Sequence, residues 1–231
     1  MKHTKFITLT VGMFFALSSF GNTSEDPLKI VQKSILEDPL MEQVSRMAHH
    51  TVSTGLNAGD GYGEVWIRDF NTFIQVAMDV MPDQQVQECL NTFFHFQGEG
   101  GDIVDGYMDI RKANLNDPEG YRYRLSETCP QYAAHKNTVE TDHETSLVQA
   151  VYQYVKKSQN TAYLQTVING KTLEQRMDEA LLDNCRRQGL FKSGDRVIAA
   201  CSGGADSMAL LLFLLRHRRT LEIEVLATHV N

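Results

Sequence analysis

The run from Asp195 to Val230, DRVIAACSGGADSMALLLFLLRHRRTLEIEVLATHV, leaves a folding chain few options. A short apolar segment ends in a glycine pair, an apolar segment of helical length follows, and LEIEVLATHV has the make-up of a second strand. Two strands joined through a helix pair in parallel, because the connection is too long for a hairpin. A two-stranded parallel sheet has two open edges and cannot cover both of its faces, so this unit is expected to need more strands than the sequence supplies.

The turn between the first strand and the helix carries the chemistry. Ser202, Gly203 and Gly204 stand where backbone N–H groups and the helix dipole attract an anion. The glycines permit close approach of phosphate oxygens, and Ser202 and Ser207 add hydroxyl donors. Asp206, at the helix start, is placed to orient the loop or a metal. No lysine follows the glycines, so this is not a Walker A loop. An ordinary tight turn between strand and helix also needs glycine, and bare chemistry leaves both readings open.

SGGADS behind an apolar strand resembles the PP-loop of the N-type ATP pyrophosphatases. The segment 177–231, from MDEALLDNCRRQGLF to the closing THVN, is similar to the opening of the tRNA(Ile)-lysidine synthetases. The resemblance implies that Ser202, Gly203, Gly204, Asp206 and Ser207 hold ATP, with Mg2+ as a companion the site admits. It further implies a cytoplasmic enzyme in which ATP activates a cytidine of tRNA and lysine then attacks. The basic stretch, the rest of the sheet and the tRNA-binding parts of that family are not in the sequence, so this piece is expected to be cut short and any ATP binding weak.

Composition changes at the same place. The net charge of −7 lies wholly before residue 177, since residues 177–231 hold seven basic and seven acidic side chains. A net negative chain offers no broad basic surface for nucleic acid. At the other end, MKHTKFITLTVGMFFALSSFG has the layout of a secretory signal. Lys2 and Lys5 precede an apolar run from Phe6 to Leu17, and small residues at Ser19 and Gly21 suit cleavage. Residues 1–21 are therefore expected to be a signal peptide that sends the chain to the periplasm or beyond. The run is short for a membrane span. Four cysteines, Cys89, Cys129, Cys185 and Cys201, lack metal-type spacing, and no metal ligand set is expected.

Between these ends the pattern is helical. Apolar residues recur at helical spacing from Ile30 to Thr54, RDFNTFIQVAMDVM is a helix stopped by Pro82, and Asp83 is the expected N-cap of the next. Residues 97–137 read as a long irregular span, the kind that is usually functional. TDHETSLVQAVYQYVKKS is an amphipathic helix with Thr141 and Glu144 as an expected capping box, and helix continues to about Leu190 with an interruption at Asn169–Gly170. Trp66, Arg68 and Asp69 gather at one helix start, where an aromatic face, a planar donor fork and an acceptor can read sugar hydroxyls. Glu140, Asp142 and Glu144 crowd another, and paired carboxylates are what glycoside hydrolysis uses. Each cluster alone also reads as a surface ion pair or as acid at a helix N-terminus.

VWIRDF ahead of a long helix, GGDIVDGYMD, and NTVETDHETSLVQAVYQYV together resemble the six-hairpin (α/α)6-barrel glycosidases, the glucoamylase-like and debranching-like enzymes. That resemblance implies an oligosaccharide ligand and binding roles for Trp66, Arg68, Asp69, Asp142 and Glu144. It assigns no catalytic acid or base, because those residues lie in later hairpins of the barrel that the sequence does not contain. The expected fold is mostly α, an incomplete α/α toroid over residues 22–176 followed by a βαβ PP-loop remnant over 177–231. Three readings follow: a glycosidase-like chain whose tail happens to look like a PP-loop, a lysidine synthetase with an unusual N-terminal extension, or a chimera joining two fragments near Met177. The last, a glycoside hydrolase-like module fused to an ATP-binding fragment, best fits both motifs.

Overall fold

In a computed structural model the described residues are 26–57, 63–117, 120–137 and 139–229. The expected signal peptide, residues 1–21, lies outside them. The chain divides into two compact units, residues 45–191 and residues 1–44 together with 192–231. No described helix is long and apolar enough to cross a membrane.

Two helices come first, α1 (Pro27–Leu36) and α2 (Pro39–Thr54), and neither buries a residue. The helical periodicity that runs unbroken through this stretch is cut at Glu37–Asp38, because Pro39 disfavours helical backbone in the residue before it. Asp26 caps α1 by accepting from the Leu28 N–H at 3.0 Å.

Within residues 45–191, β1 (Val65–Trp66) runs directly into α3 (Ile67–Val80), and α4 (Asp83–His95) follows. The inward stripe of α3 is Ile67, Phe70, Ile74 and Ala77, spaced for one helical face. It meets Val86, Leu90, Phe93 and Phe94 of α4 in a single core. Asp83 does not cap α4. That position belongs to Pro82, and Asp83 accepts instead from the Tyr154 hydroxyl at 2.8 Å.

The span read as irregular from 97 to 137 contains strands. β2 (Gly106–Asp109), β3 (Tyr123–Arg124) and β4 (Tyr132–His135) join β1 in a four-stranded antiparallel sheet ordered β1-β2-β4-β3. Strands of two to four residues are too short to show alternation, which is why the sequence reads as loop. Next, α5 (His143–Ser158) lays Leu147, Ala150, Val151 and Tyr154 into the core. Along its seam with α3, Asn71 donates to Gln149 at 2.8 Å and Gln75 to Gln153 at 3.1 Å, so amides satisfy one another where the seam surfaces. The expected Thr141–Glu144 capping box is absent: the N-cap is Asp142, without a side-chain bond.

A capping box forms at the next helix instead. After a two-residue hairpin of β5 (Val167–Ile168) and β6 (Lys171–Thr172), Thr172 and Gln175 cap α6 (Leu173–Arg187) reciprocally. Helix α6 passes straight through Met177, the expected junction. Leu173, Ala180 and Leu182 are buried on it. Gly101, at φ +108°, brings the preceding turn so close that a Cβ there would lie 2.3 Å from the Glu179 carbonyl oxygen. The helical unit thus runs through Phe191, and the first turns of the segment read from residue 177 pack within it.

In the other unit β7 (Arg196–Cys201) and β8 (Glu224–His229) pair in parallel, Arg196 opposite Glu224 through Cys201 opposite His229. Helix α7 (Ala205–His217) connects them. Ala199 and Cys201 are buried on one face of the pair. Ile198 and its register partner Leu226, on alternate positions, remain exposed, at 49% and 40%. The βαβ expectation holds, and so does the expected uncovered face.

Candidate functional site

The strand–loop–helix turn forms as its glycines require. Gly203 takes φ +82°, a conformation L side chains rarely adopt, with nothing within 4 Å of where a Cβ would sit. Gly204 is the N-cap of α7 and offers no side chain to occupy the first-turn N–H groups. Its carbonyl accepts from the Ser207 hydroxyl at 2.9 Å and the Met208 N–H at 3.1 Å, which closes the first turn. Ser202, Gly203, Gly204 and Asp206 are exposed. The structure thus brings all five expected loop residues around one open helix N-terminus, where backbone donors and the helix dipole suit an anion.

A second site lies in the unit 45–191, where the first turns of α3 and α5 meet the sheet. The β1–α3 junction makes Trp66 the N-cap residue and sets Arg68 and Asp69 in the first turn. Asp105 stands just before β2, held by main-chain bonds: its N–H donates to the His135 carbonyl at 3.0 Å, and its own carbonyl accepts from Ile67 N–H at 2.8 Å. Glu140 comes from the loop before α5, and His143 opens that helix. Trp66, Arg68, Asp69, Asp105, Asn137, Glu140 and His143 line a cleft of about 180 Å³. Arg68 donates to Glu140 at 2.6 Å, and Asp142 stands 3.9 Å from its guanidinium at the rim.

Burial alone would raise the Asp105 carboxyl pKa. The neighbouring His135 imidazole and the Asn137 N–H, which donates at 2.6 Å, outweigh it and hold that carboxyl below the usual range. Glu144, expected among the sugar-binding residues, does not line the cleft. It is fully buried, accepts from Lys136 at 2.8 Å and the Ile103 N–H at 3.0 Å, and pairs with Arg187. Burial pushes its carboxyl upward, and the bonds from Lys136 and the Ile103 N–H bring it below the ordinary value. It is a structural anion. Four of the five expected residues thus gather at the cleft or its rim, and Glu144 lies beneath.

The sequence reading missed Asp105 and His143. No metal ligands were expected from the cysteine spacing, yet one ligand atom each from Asp105, Glu140 and His143 lie within 4.8 Å of one another. The signal was present in VETDHET, a histidine set among carboxylates at a helix start. A larger hollow, about 600 Å³, is bordered by α4 and by Cys89 and Cys129. Burial raises both thiols above their usual pKa, which keeps them protonated and poorly nucleophilic.

The first of these places has the form of a strand–glycine turn–helix junction within a parallel crossover. The proteins it is similar to are then particular. The tRNA(Ile)-lysidine synthase of Streptococcus thermophilus (strain CNRZ 1066) is 46% identical over 55 residues, 24% of this chain and 13% of that protein. That of Clostridium perfringens (strain 13 / Type A) is 46% identical over 55 residues, 24% of this chain and 12% of its own length. Streptococcus gordonii (strain Challis) has one 36% identical over the same length. The matched stretch is thus about an eighth of the length of these curated relatives. No family model matches the chain, and no solved structure does.

Proposed function

We propose that the segment from Arg196 to His229 grips the phosphates of ATP, as the opening piece of an ATP-dependent, tRNA-modifying ligase of the lysidine synthase type. Ser202, Gly203 and Gly204 supply donors, Ser207 adds its backbone N–H because its hydroxyl is given to the Gly204 carbonyl, and Asp206 is placed to orient the loop or meet Mg2+. The nucleotide would activate a cytidine for attack by lysine, chemistry that belongs in the cytoplasm, with tRNA as partner. The observation that carries this reading is left-handed Gly203 at the mouth of a parallel strand–helix turn, joined to the 46% identity with lysidine synthases. Phosphorus NMR of ATP titrated with the purified chain tests it. Broadening and shift of the β and γ resonances at submillimolar protein support it, and an unaltered spectrum at millimolar concentrations of both overturns it.

The cleft favours a second, separate reading for residues 45–191, binding of an oligosaccharide. Trp66 would offer its ring face, and Arg68 and Asp69 their donors and acceptor. In that reading the chain is a fusion of a glycoside hydrolase-like module, a partial α/α toroid, with the ATP-binding segment, and residues 1–21 would send it to the periplasm. Glycan-array binding that disappears in Arg68→Ala supports it, and no retained glycan sinks it.

A further inference from the structure

We propose that Asp105, Glu140 and His143 form a site for one divalent transition-metal ion. The case begins with unsatisfied atoms. Asp105 and His143 are 2% and 0% exposed, and among the described residues Asp105 Oδ2 has no hydrogen-bond partner. Among those residues both ring nitrogens of His135 also lack one, although its Nδ1 stands 3.4 Å from Asp105 Oδ2. A buried carboxylate oxygen left unpaired is costly, so Asp105 Oδ2 calls for a partner that the described protein atoms do not supply.

Geometry and charge identify the ligand as a cation. His143 Nε2 and Glu140 Oε2 share a hydrogen bond at 3.2 Å, which an incoming ion would replace. Bonds of about 2.0–2.2 Å to a tetrahedral ion set neighbouring ligand atoms roughly 3.4 Å apart, so this pair already has the spacing of two ligands. The wider separations, at most 4.8 Å, close by small side-chain rotations, since Glu140 stands on a loop. The cleft's lining holds three carboxylates, Asp69, Asp105 and Glu140, against one guanidinium, Arg68. With neutral imidazole that leaves two negative charges, which a dication cancels. Binding requires Glu140 to loosen its bond to Arg68, and that guanidinium then has Asp142 at the rim as its carboxylate.

Two carboxylates and one imidazole suit Mn2+, Fe2+ or Zn2+ better than Ca2+ or Mg2+, which take more oxygens. Three protein ligands also leave open positions for water or a hydroxyl-bearing ligand, the pattern of working rather than purely structural metal sites. His135, packed on Tyr121 with ring centroids 4.0 Å apart, would act as a positioning residue for the Asp105 carboxylate. The inference does not rest on the ATP reading, which concerns another unit.

The test uses Mn2+ on the full chain, because it avoids the four free thiols that Zn2+ would seek. Loss of the free-ion EPR signal measures binding, in wild type, Glu140→Gln and Asp105→Asn. One equivalent bound at micromolar Mn2+, abolished in Glu140→Gln with an unchanged far-UV spectrum and melt, is the expected result. The Glu140 side chain is 30% accessible, so that variant is expected to keep the fold even where Asp105→Asn does not. No saturable binding below millimolar Mn2+, or binding equal in Glu140→Gln, overturns the site.

Discussion

Glu144 of α5 and Arg187 of α6 form an ion pair whose carboxylate is fully buried, and it joins the two helices across the place where the sequence changes character. A carboxylate so placed tolerates no loss of partners. Breaking a buried pair by removing one side costs about 3–5 kcal/mol, because the remaining charge cannot reach water. Here Lys136 also donates to Glu144, so the two cations share that burden. Arg187→Ala should therefore cost less than the double change of Lys136 and Arg187 to alanine, with the excess in the double variant measuring their coupling. Urea melts of the three variants check this, and a strictly additive result would show that the network is not coupled.

Stability should fall on acidification for the same reason. The carboxyls of Glu144 and Asp105 lie below their ordinary values of 4.5 and 3.8 in the fold. A depressed folded pKa means that the unfolded chain binds protons first. Their stabilisation is complete above the ordinary values and disappears as pH falls through the lower folded ones. The melting temperature of residues 45–191 should hold steady from about pH 7 to pH 5 and drop below about pH 4. A Glu144→Gln variant should start lower and lose part of that acid slope.

Gly203→Ala isolates the backbone of the loop. The substitution meets no neighbouring atom, so its effect is conformational. A non-glycine residue in left-handed backbone costs roughly 1–2 kcal/mol. That strain moves the N–H groups off an anion without touching the core, and ATP affinity should fall by about tenfold. Calorimetric titration of ATP against wild type and variant checks it. Equal affinities would mean that the loop N–H groups do not hold the phosphates.

The motif residues of that loop were legible in sequence because glycine and strand–helix alternation are local signals. So were the inward faces of α3 and α5, where helical spacing selects Phe70, Ile74, Leu147 and Tyr154. The four-stranded sheet was not, since two- to four-residue strands carry no period. Nor was the role of Glu144. Acid in a helix first turn looks the same in sequence whether it faces solvent or is sealed by Lys136 and Arg187, and only tertiary contact decides. Asp105 and His143 were hidden for a related reason: they are 38 residues apart in the chain and converge through the sheet.

Arg68→Ala should separate binding from stability. The Arg68–Glu140 pair is partly exposed, with side chains 49% and 30% accessible, and such pairs contribute about 0–1 kcal/mol. The variant should melt within a degree or two of wild type while losing any oligosaccharide affinity. A large fall in melting temperature would instead make Arg68 a structural residue.

The position of the unit boundary yields the sharpest prediction. A chain ending at residue 176, where the sequence motifs divide, loses Ala180 and Leu182 from beneath the helical unit. It also loses the Asn184 side chain that donates to the Thr141 carbonyl at 2.8 Å, and the Arg187 partner of Glu144. Removing one buried leucine side chain is worth about 1.5–3 kcal/mol, and an unpaired buried carboxylate adds more. Against a total stability of 5–15 kcal/mol for an ordinary domain, that loss is large. A chain ending at residue 191 keeps every one of these contacts. Of the two, 26–191 should give a cooperative thermal transition and dispersed amide spectra, while 26–176 should melt at least about 10 °C lower or aggregate. If both behaved alike, the second half of α6 would be dispensable, and Met177 would mark a structural boundary as well as a sequence one.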